Sequence, residues 1–179
     1  MQPTPPSSAL LERIFPILDE SFPPEIFYGY HRLAQNVLEK STFHVVEHQA
    51  DGRTVACLCY FDLPPFYFIE YLATDPQYRS GGIGGRMIDW LKAQGRPVVL
   101  ESEPPHDEIC RRRIAYYQRK GFRVQDYDYI MPPMGPGKRP ESMLLMSTVD
   151  LSRRQLEELE RTLYHDVYRL PADHPGFRG

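Results

Sequence analysis

Cysteine is scarce in this chain. There are three, Cys57, Cys59 and Cys110. An odd and sparse set supplies no disulfide framework, so the expected core holds together without covalent staples. Long apolar runs are missing too. None approaches the roughly 18 residues that a bilayer span needs. The N-terminus shows no basic leader followed by an apolar stretch, because Glu12 and Arg13 interrupt it. A basic excess is absent as well. The net charge of -3 lacks the usual footprint of a nucleic-acid binder. The expectation is a reduced, cytoplasmic compartment, with no nucleic acid and no membrane as partner.

Proline, by contrast, is abundant and clustered. Pro3, Pro5 and Pro6 mark a frayed start, and Pro132 to Pro140 a Pro/Gly-rich loop. Between them the hydrophobic pattern gives two helices. Ser7 or Ser8 caps the first, through Leu10, Leu11, Ile14 and Leu18. The second runs from about Glu25 to Glu39. The period then changes to two. Phe43 to His48 and Thr54 to Phe61 read as strands joined at Asp51-Gly52, a hairpin signal. Phe66 to Thr74 reads as a third strand. Gly81, Gly82, Gly84 and Gly85 precede a helix carrying Ile83, Met87, Trp90 and Leu91, which Gly95 closes. Val98 to Leu100 is a short strand running into Glu101. Asp107 caps a helix through Cys110, Ile114 and Tyr117. Phe122 to Ile130 and Met143 to Val149 read as strands. Ser152-x-x-Gln155 is a capping box that opens a last helix through Leu156, Leu159, Leu163 and Val167. No linker separates domains, so one domain over residues 1–179 is expected.

The glycine cluster carries the strongest chemical signal. Glycine permits positive φ and close approach of a ligand to the backbone. A helix start offers free N–H groups and the positive end of a dipole. The phosphate loop of NTPases needs Gly-Lys-Ser/Thr, and here Arg86 and Met87 follow Gly85. A dinucleotide fingerprint begun at Gly82 and Gly84 meets Met87 where its third glycine belongs. What remains is Arg79-Ser80-Gly81-Gly82-Ile83-Gly84, which fits Arg/Gln-x-x-Gly-x-Gly/Ala.

That pattern resembles the acyl-CoA pyrophosphate loop of the GNAT superfamily of N-acyltransferases. Leu72 to Arg79 looks like the strand that leads into that loop. Ile114 to Phe122 looks like the later helix ending in Tyr-x-x-x-Gly-Phe, and the order of elements from Ala9 to Val149 also matches. The resemblance implies an α/β (α+β) fold with a mixed, mostly antiparallel central sheet flanked by helices. Residues 9–149 match the family, and 150–179 form a C-terminal helical extension. It implies acetyl-CoA as co-substrate, with no metal. Backbone of Leu72, Ala73 and Thr74 would meet the pantetheine arm. Arg79, Ser80, Gly81, Gly82, Ile83, Gly84 and Gly85 would receive the pyrophosphate. Cys110 departs from the family, which often has an Asn there. Arg111, Arg112, Arg113 and Arg119 are either phosphate partners or a solvated helix face.

An amine attacks a thioester only when neutral. With an unperturbed pKa near 10.4, only about one lysine-like amine in 10³ is neutral at pH 7. A base must take its proton, and a donor must meet the departing thiolate. By the resemblance Tyr117 is the acid and also lines the cofactor site, with a packed tyrosine as the alternative. For the base, Glu70 lies on the aromatic third strand, with Phe68, Leu72 and Thr74 on its face by alternation. Glu101 resembles the Glu of some protein N-terminal acetyltransferases, and Glu103 shares its face. A mechanism with no dedicated base also stays open. His44, His48 and His165 do not complete a metal site. The expected acceptor is an amine-bearing small molecule or peptide, held between residues 20–28 and 130–141, with Glu25, Tyr127, Tyr129, Lys138 and Arg139 as lining. A homodimer is left open. The rivals are a catalytically silent acyl-CoA-binding or regulatory module and an interaction domain that uses the Pro-rich loop.

Overall fold

The computed structural model describes residues 1–133 and 137–171. Within them lie seven strands, mostly antiparallel, and flanking helices, the α/β (α+β) arrangement expected. The chain divides into two compact units, residues 1–98 and 99–179.

In the first unit, Ser7 caps α1 (Ser8–Ser21) by accepting from the Leu10 N–H at 3.1 Å. Leu10, Leu11, Ile14, Ile17 and Leu18 form its buried stripe. Each fully buried aliphatic side chain of this kind contributes about 1.5–3 kcal/mol. α2 spans Gly29–Glu39. It starts four residues later than the spacing suggests, because the Ile26 N–H bonds back to the Pro23 carbonyl at 3.1 Å and Gly29 adopts a φ of 75°. A turn therefore occupies the segment assigned to its first turn.

β1 (Phe43–Ala50) and β2 (Arg53–Leu63) form the expected hairpin. Asp51 and Gly52 have φ of 52° and 75°, the double positive φ that a right-twisted two-residue turn needs. β3 (Phe66–Thr74) pairs antiparallel with β2, and here alternation fails. Tyr71 stands opposite Cys59 and Ile69 opposite Tyr60, so Glu70 is an extra residue in a β-bulge. Phe68 pairs with Phe61 and Leu72 with Leu58. Positions 58 and 61 are an odd number of residues apart on β2, so Phe68 and Leu72 face opposite sides of the sheet. The expectation that Glu70, Phe68, Leu72 and Thr74 share one face is corrected accordingly. A 3₁₀ turn (Pro76–Tyr78) then leads into α3 (Ile83–Lys92), which packs on β2 and β3 through buried residues such as Met87, Ile88 and Leu91.

In the second unit, β4 (Val98–Ser102, its first residue at the boundary) runs antiparallel to β7 (Glu141–Ser147), with Glu101 opposite Leu145. Asp107 caps α4 (Glu108–Arg119) by accepting from the Cys110 N–H at 2.7 Å. The strand expected over Phe122 to Ile130 is two short strands, β5 (Arg123–Val124) and β6 (Tyr129–Met131), both antiparallel to β7. Gln125 explains the break. Its side chain donates to the Arg123 carbonyl at 3.1 Å and accepts from the Leu151 N–H at 2.9 Å, which draws the chain off the strand line. The capping box forms, with Ser152 and Gln155 bonding reciprocally at the start of α5 (Arg153–Thr162). The helix continues as a π-turn, Leu163–Val167. Leu156, Leu159, Leu163 and Val167 are buried, as their spacing implies.

Candidate active site

In the first unit a glycine-rich turn joins the end of β3 to the start of α3. Asp75 accepts from the Gln77 N–H at 2.9 Å and pairs with Arg53 at 3.1 Å. The Tyr78 hydroxyl donates to Asp51 at 2.7 Å. These contacts anchor the start of the loop to the β1–β2 hairpin. Arg79 turns back, its Nε donating to the Thr74 carbonyl at 3.0 Å. The backbone then takes two left-handed residues, Ser80 with φ 68° and Gly82 with φ 70°. Ser80 holds that conformation without the freedom of glycine, a mark of a loop fixed by its surroundings.

Gly82 is the N-cap of α3 and gives the helix no side-chain cap. The N–H groups of Ile83, Gly84 and Gly85 therefore have no carbonyl one turn back to bond. Arg86 donates to the Gly81 carbonyl at 2.8 Å, so a cation occupies the carbonyl side of the loop. Gly81 and Gly82 are exposed. The arrangement offers backbone donors, a helix dipole and two guanidinium groups to an anion. Leu72 and Thr74 are half-buried just upstream and Ala73 is buried. Glu70, in its bulge, adds negative charge beside Tyr71. Burial pushes the Tyr71 hydroxyl well above its usual range, and the Glu70 charge adds to that.

The second unit carries the other candidates. Glu101 accepts two short hydrogen bonds, one per carboxylate oxygen: the Tyr129 hydroxyl donates to Oε1 and the Tyr168 hydroxyl to Oε2, each at 2.6 Å. Desolvation lifts the Glu101 carboxyl to about 7, and the two hydroxyl donors limit the rise. The network extends outward. Tyr164 donates to the Ile130 carbonyl at 2.5 Å with Glu160 3.2 Å from the same hydroxyl, while Tyr127 donates to Glu160 at 2.6 Å. The residues beyond Val149 thus hold the carboxylate of β4 in place. Tyr129, expected as acceptor lining, is instead buried at 1% exposure with its hydroxyl committed to Glu101. Met134 to Pro136 of the expected acceptor loop lie outside the described residues.

Tyr117 sits on α4, half-buried, edge-on to Phe122 at 5.7 Å and to Tyr116 at 5.4 Å. Burial raises its hydroxyl to about 12. Glu103 is tied to Arg113 at 2.6 Å, and Arg111 to Glu108 at 3.3 Å. Arg111 is thus engaged along its own helix, and Arg113 on the segment that follows β4. The sequence reading missed Tyr168 as a partner of Glu101. The two are 67 residues apart, and no local pattern marks a tyrosine whose partner is brought to it only by the fold.

Comparison with known proteins agrees with this architecture. The acetyltransferase (GNAT) domain profile matches residues 39–124. A solved structure from Bacteroides thetaiotaomicron, titled "Putative acetyltransferase from GNAT family", is 33% identical, with 95% of this chain and 98% of that one covered and a TM-score of 0.84. "Putative acetyltransferase YjbC" of Bacillus subtilis is 30% identical over 108 residues, 59% of this chain. The match spans 54% of that relative's length. An aminoglycoside 6'-N-acetyltransferase solved in complex with coenzyme A shares the fold, with a TM-score of 0.57 at 11% identity over 82% of this chain and 94% of that one. The chain belongs to the GNAT acetyltransferase family.

Proposed function

We propose that this protein transfers an acetyl group from acetyl-CoA to an amine by direct attack, with Glu101 as proton acceptor and Tyr117 as proton donor. Family membership and the uncapped α3 N-terminus support the cofactor, as does the coenzyme A bound by the aminoglycoside acetyltransferase of the same fold. One observation carries the choice of base. Among the described residues Glu101 carries no cationic partner and its burial lifts the carboxyl to about 7, its hydrogen bonds coming from the Tyr129 and Tyr168 hydroxyls, whereas Glu103 is held in an ion pair with Arg113. A general base works best with a pKa near the working pH.

In this reading the amine surrenders its proton to Glu101, and the freed nitrogen attacks the thioester carbonyl carbon. The C–S bond then breaks, the thiolate takes the Tyr117 proton, and the surplus proton on the newly acylated nitrogen passes through solvent to restore the Tyr117 hydroxyl. A hydroxyl at about 12 stays protonated through the neutral range, as a donor must. The acceptor is a primary amine on a small molecule or peptide.

The test follows thiol release from acetyl-CoA against a panel of small amines and peptide N-termini. Glu101→Gln should lower kcat about 10²–10⁴-fold at neutral pH and recover toward high pH, where more amine is already neutral. Absence of acetyl-CoA binding by calorimetry would overturn the reading. Loss of activity in Glu70→Gln with Glu101→Gln silent would move the base to the bulge of β3.

A further inference from the structure

We propose a divalent transition-metal site of zinc type, made by Glu103, His106 and Cys110 where β4 passes into α4. One ligand atom from each residue lies within 4.8 Å of the others. Cys110 Sγ and His106 Nε2 are 3.7 Å apart. Tetrahedral zinc with bonds of about 2.3 Å to sulfur and 2.0–2.1 Å to nitrogen sets those two atoms about 3.6 Å apart, so the pair already stands at bonding separation.

The local fold explains the gathering. His106 and Cys110 are four residues apart, a ligand spacing common in structural zinc sites. Asp107 caps the helix at Cys110 and so fixes the first turn that carries the thiol. The His106 N–H bonds to the Pro104 carbonyl at 2.7 Å, which folds the loop back. Cys110 is buried at 2% exposure and His106 is exposed, so the site has a shielded floor and an open mouth. Arg113 holds Glu103 through Oε2. Oε1 can serve the metal while the guanidinium orients the carboxylate from behind, a common outer-shell arrangement.

The charges also fit. A thiolate and a carboxylate balance a divalent ion, and the imidazole binds neutral. A thiolate with an imidazole favours zinc or cobalt over magnesium or calcium, which take oxygen ligands. A fourth position is left for water. The positive end of the α4 dipole opposes a cation here, and Asp107 and Glu108 at the same end offset it. Burial pushes the Cys110 thiol up, so the metal has to displace its proton. Binding is then the ion plus Cys–SH giving metal–thiolate plus one H⁺, with no redox change.

The experiment titrates the metal-free full chain with Co(II), then displaces it with Zn(II). The proposal expects one ion per chain, a thiolate-to-cobalt charge-transfer band, and about one proton released per ion. Cys110→Ser should abolish the band. His106→Gln, at an exposed position where folding is not at stake, should weaken binding about 10-fold or more, since even outer-shell changes cost that much. Glu103→Gln should weaken it likewise. No band at saturating Co(II) would overturn the site. Binding that survives unchanged in His106→Gln, or a band that persists in Cys110→Ser, would place the ion elsewhere and overturn it equally.

Discussion

The Tyr168 hydroxyl donates to Oε2 of Glu101 at 2.6 Å, tying the residue just after the π-turn to the fourth strand. Two elements distant in sequence thus share one carboxylate, and Tyr129 from β6 completes its pairing at 2.6 Å. The bonds act on the ionised form. A hydrogen bond to a carboxylate favours its charge, while burial favours the neutral acid. Burial prevails, and the group sits at about 7.

Tyr168→Phe removes one of those donors and leaves the ring. The Glu101 carboxyl should titrate higher, so the acidic limb of kcat/KM should move to higher pH. Tyr164→Phe serves as the control, because its hydroxyl donates to the Ile130 carbonyl rather than to Glu101. The measurement is a pH–rate profile of both variants, beside a ¹³C-carboxyl titration of Glu101. A carboxyl titration unchanged in Tyr168→Phe would dismiss the coupling whatever the reaction is.

Glu101 also makes stability depend on pH. Its pKa is about 7 in the fold against an ordinary 4.5. A raised carboxyl binds its proton more tightly when folded, so this stabilisation is fully present below 4.5 and is lost as pH rises through about 7. The contribution is at most roughly 3.5 kcal/mol at 1.36 kcal/mol per pKa unit. Glu101→Gln should flatten the change in stability between pH 4.5 and about 7. Urea midpoints across that window check it. A variant that keeps the wild-type slope would place the titration on another group.

Much of this was legible before the structure. The capping box at Ser152 and the Asp51-Gly52 turn were readable because each depends on a few adjacent residues. The glycine turn between β3 and α3 was readable for the same reason, since glycines, the preceding strand and the following helix are contiguous. What escaped is non-local. The bulge at Glu70 arises because β2 and β3 differ by one residue across their pairing, which no period within one strand displays. The donors to Glu101 come from β6 and from the end of the C-terminal helical segment. Glu103, His106 and Cys110 hid for a different reason. Their spacing was printed in the sequence, but the turn that brings strand end, loop and helix start together was not.

Gly82 tests the glycine turn. It holds φ 70°, and a Cβ there would stand 3.4 Å from an Arg86 nitrogen. Gly82→Ala should cost about 1–2 kcal/mol, because a left-handed L-residue is strained even where space exists. Gly82→Asp adds negative charge beside the donors of Ile83, Gly84 and Gly85. It should weaken acetyl-CoA binding by clearly more than Gly82→Ala. Calorimetry on the folded variants separates strain from charge. Equal affinities for the two would assign the loop a purely conformational role.

Tyr117 decides whether the reaction has a dedicated acid. Tyr117→Phe keeps the edge contacts to Phe122 and Tyr116 and removes only the hydroxyl. A general acid contributes about 10²–10⁴-fold, so kcat should fall within that range with acetyl-CoA affinity little changed. The pH behaviour separates this variant from a base variant. Glu101→Gln should regain rate as pH rises, since solvent then deprotonates the amine unaided. Tyr117→Phe should show no such recovery, because the missing proton serves the departing thiolate, and raising pH makes water a poorer donor. The hydroxyl itself titrates at about 12, so it adds no limb to the profile in the neutral range. A better leaving group gives a second check. An acyl donor whose thiol has a lower pKa needs less protonation as it departs, so the Tyr117→Phe deficit should shrink with it. Near-native turnover by Tyr117→Phe with natural acetyl-CoA, chemistry being rate-limiting, would leave Tyr117 as a packing residue of α4.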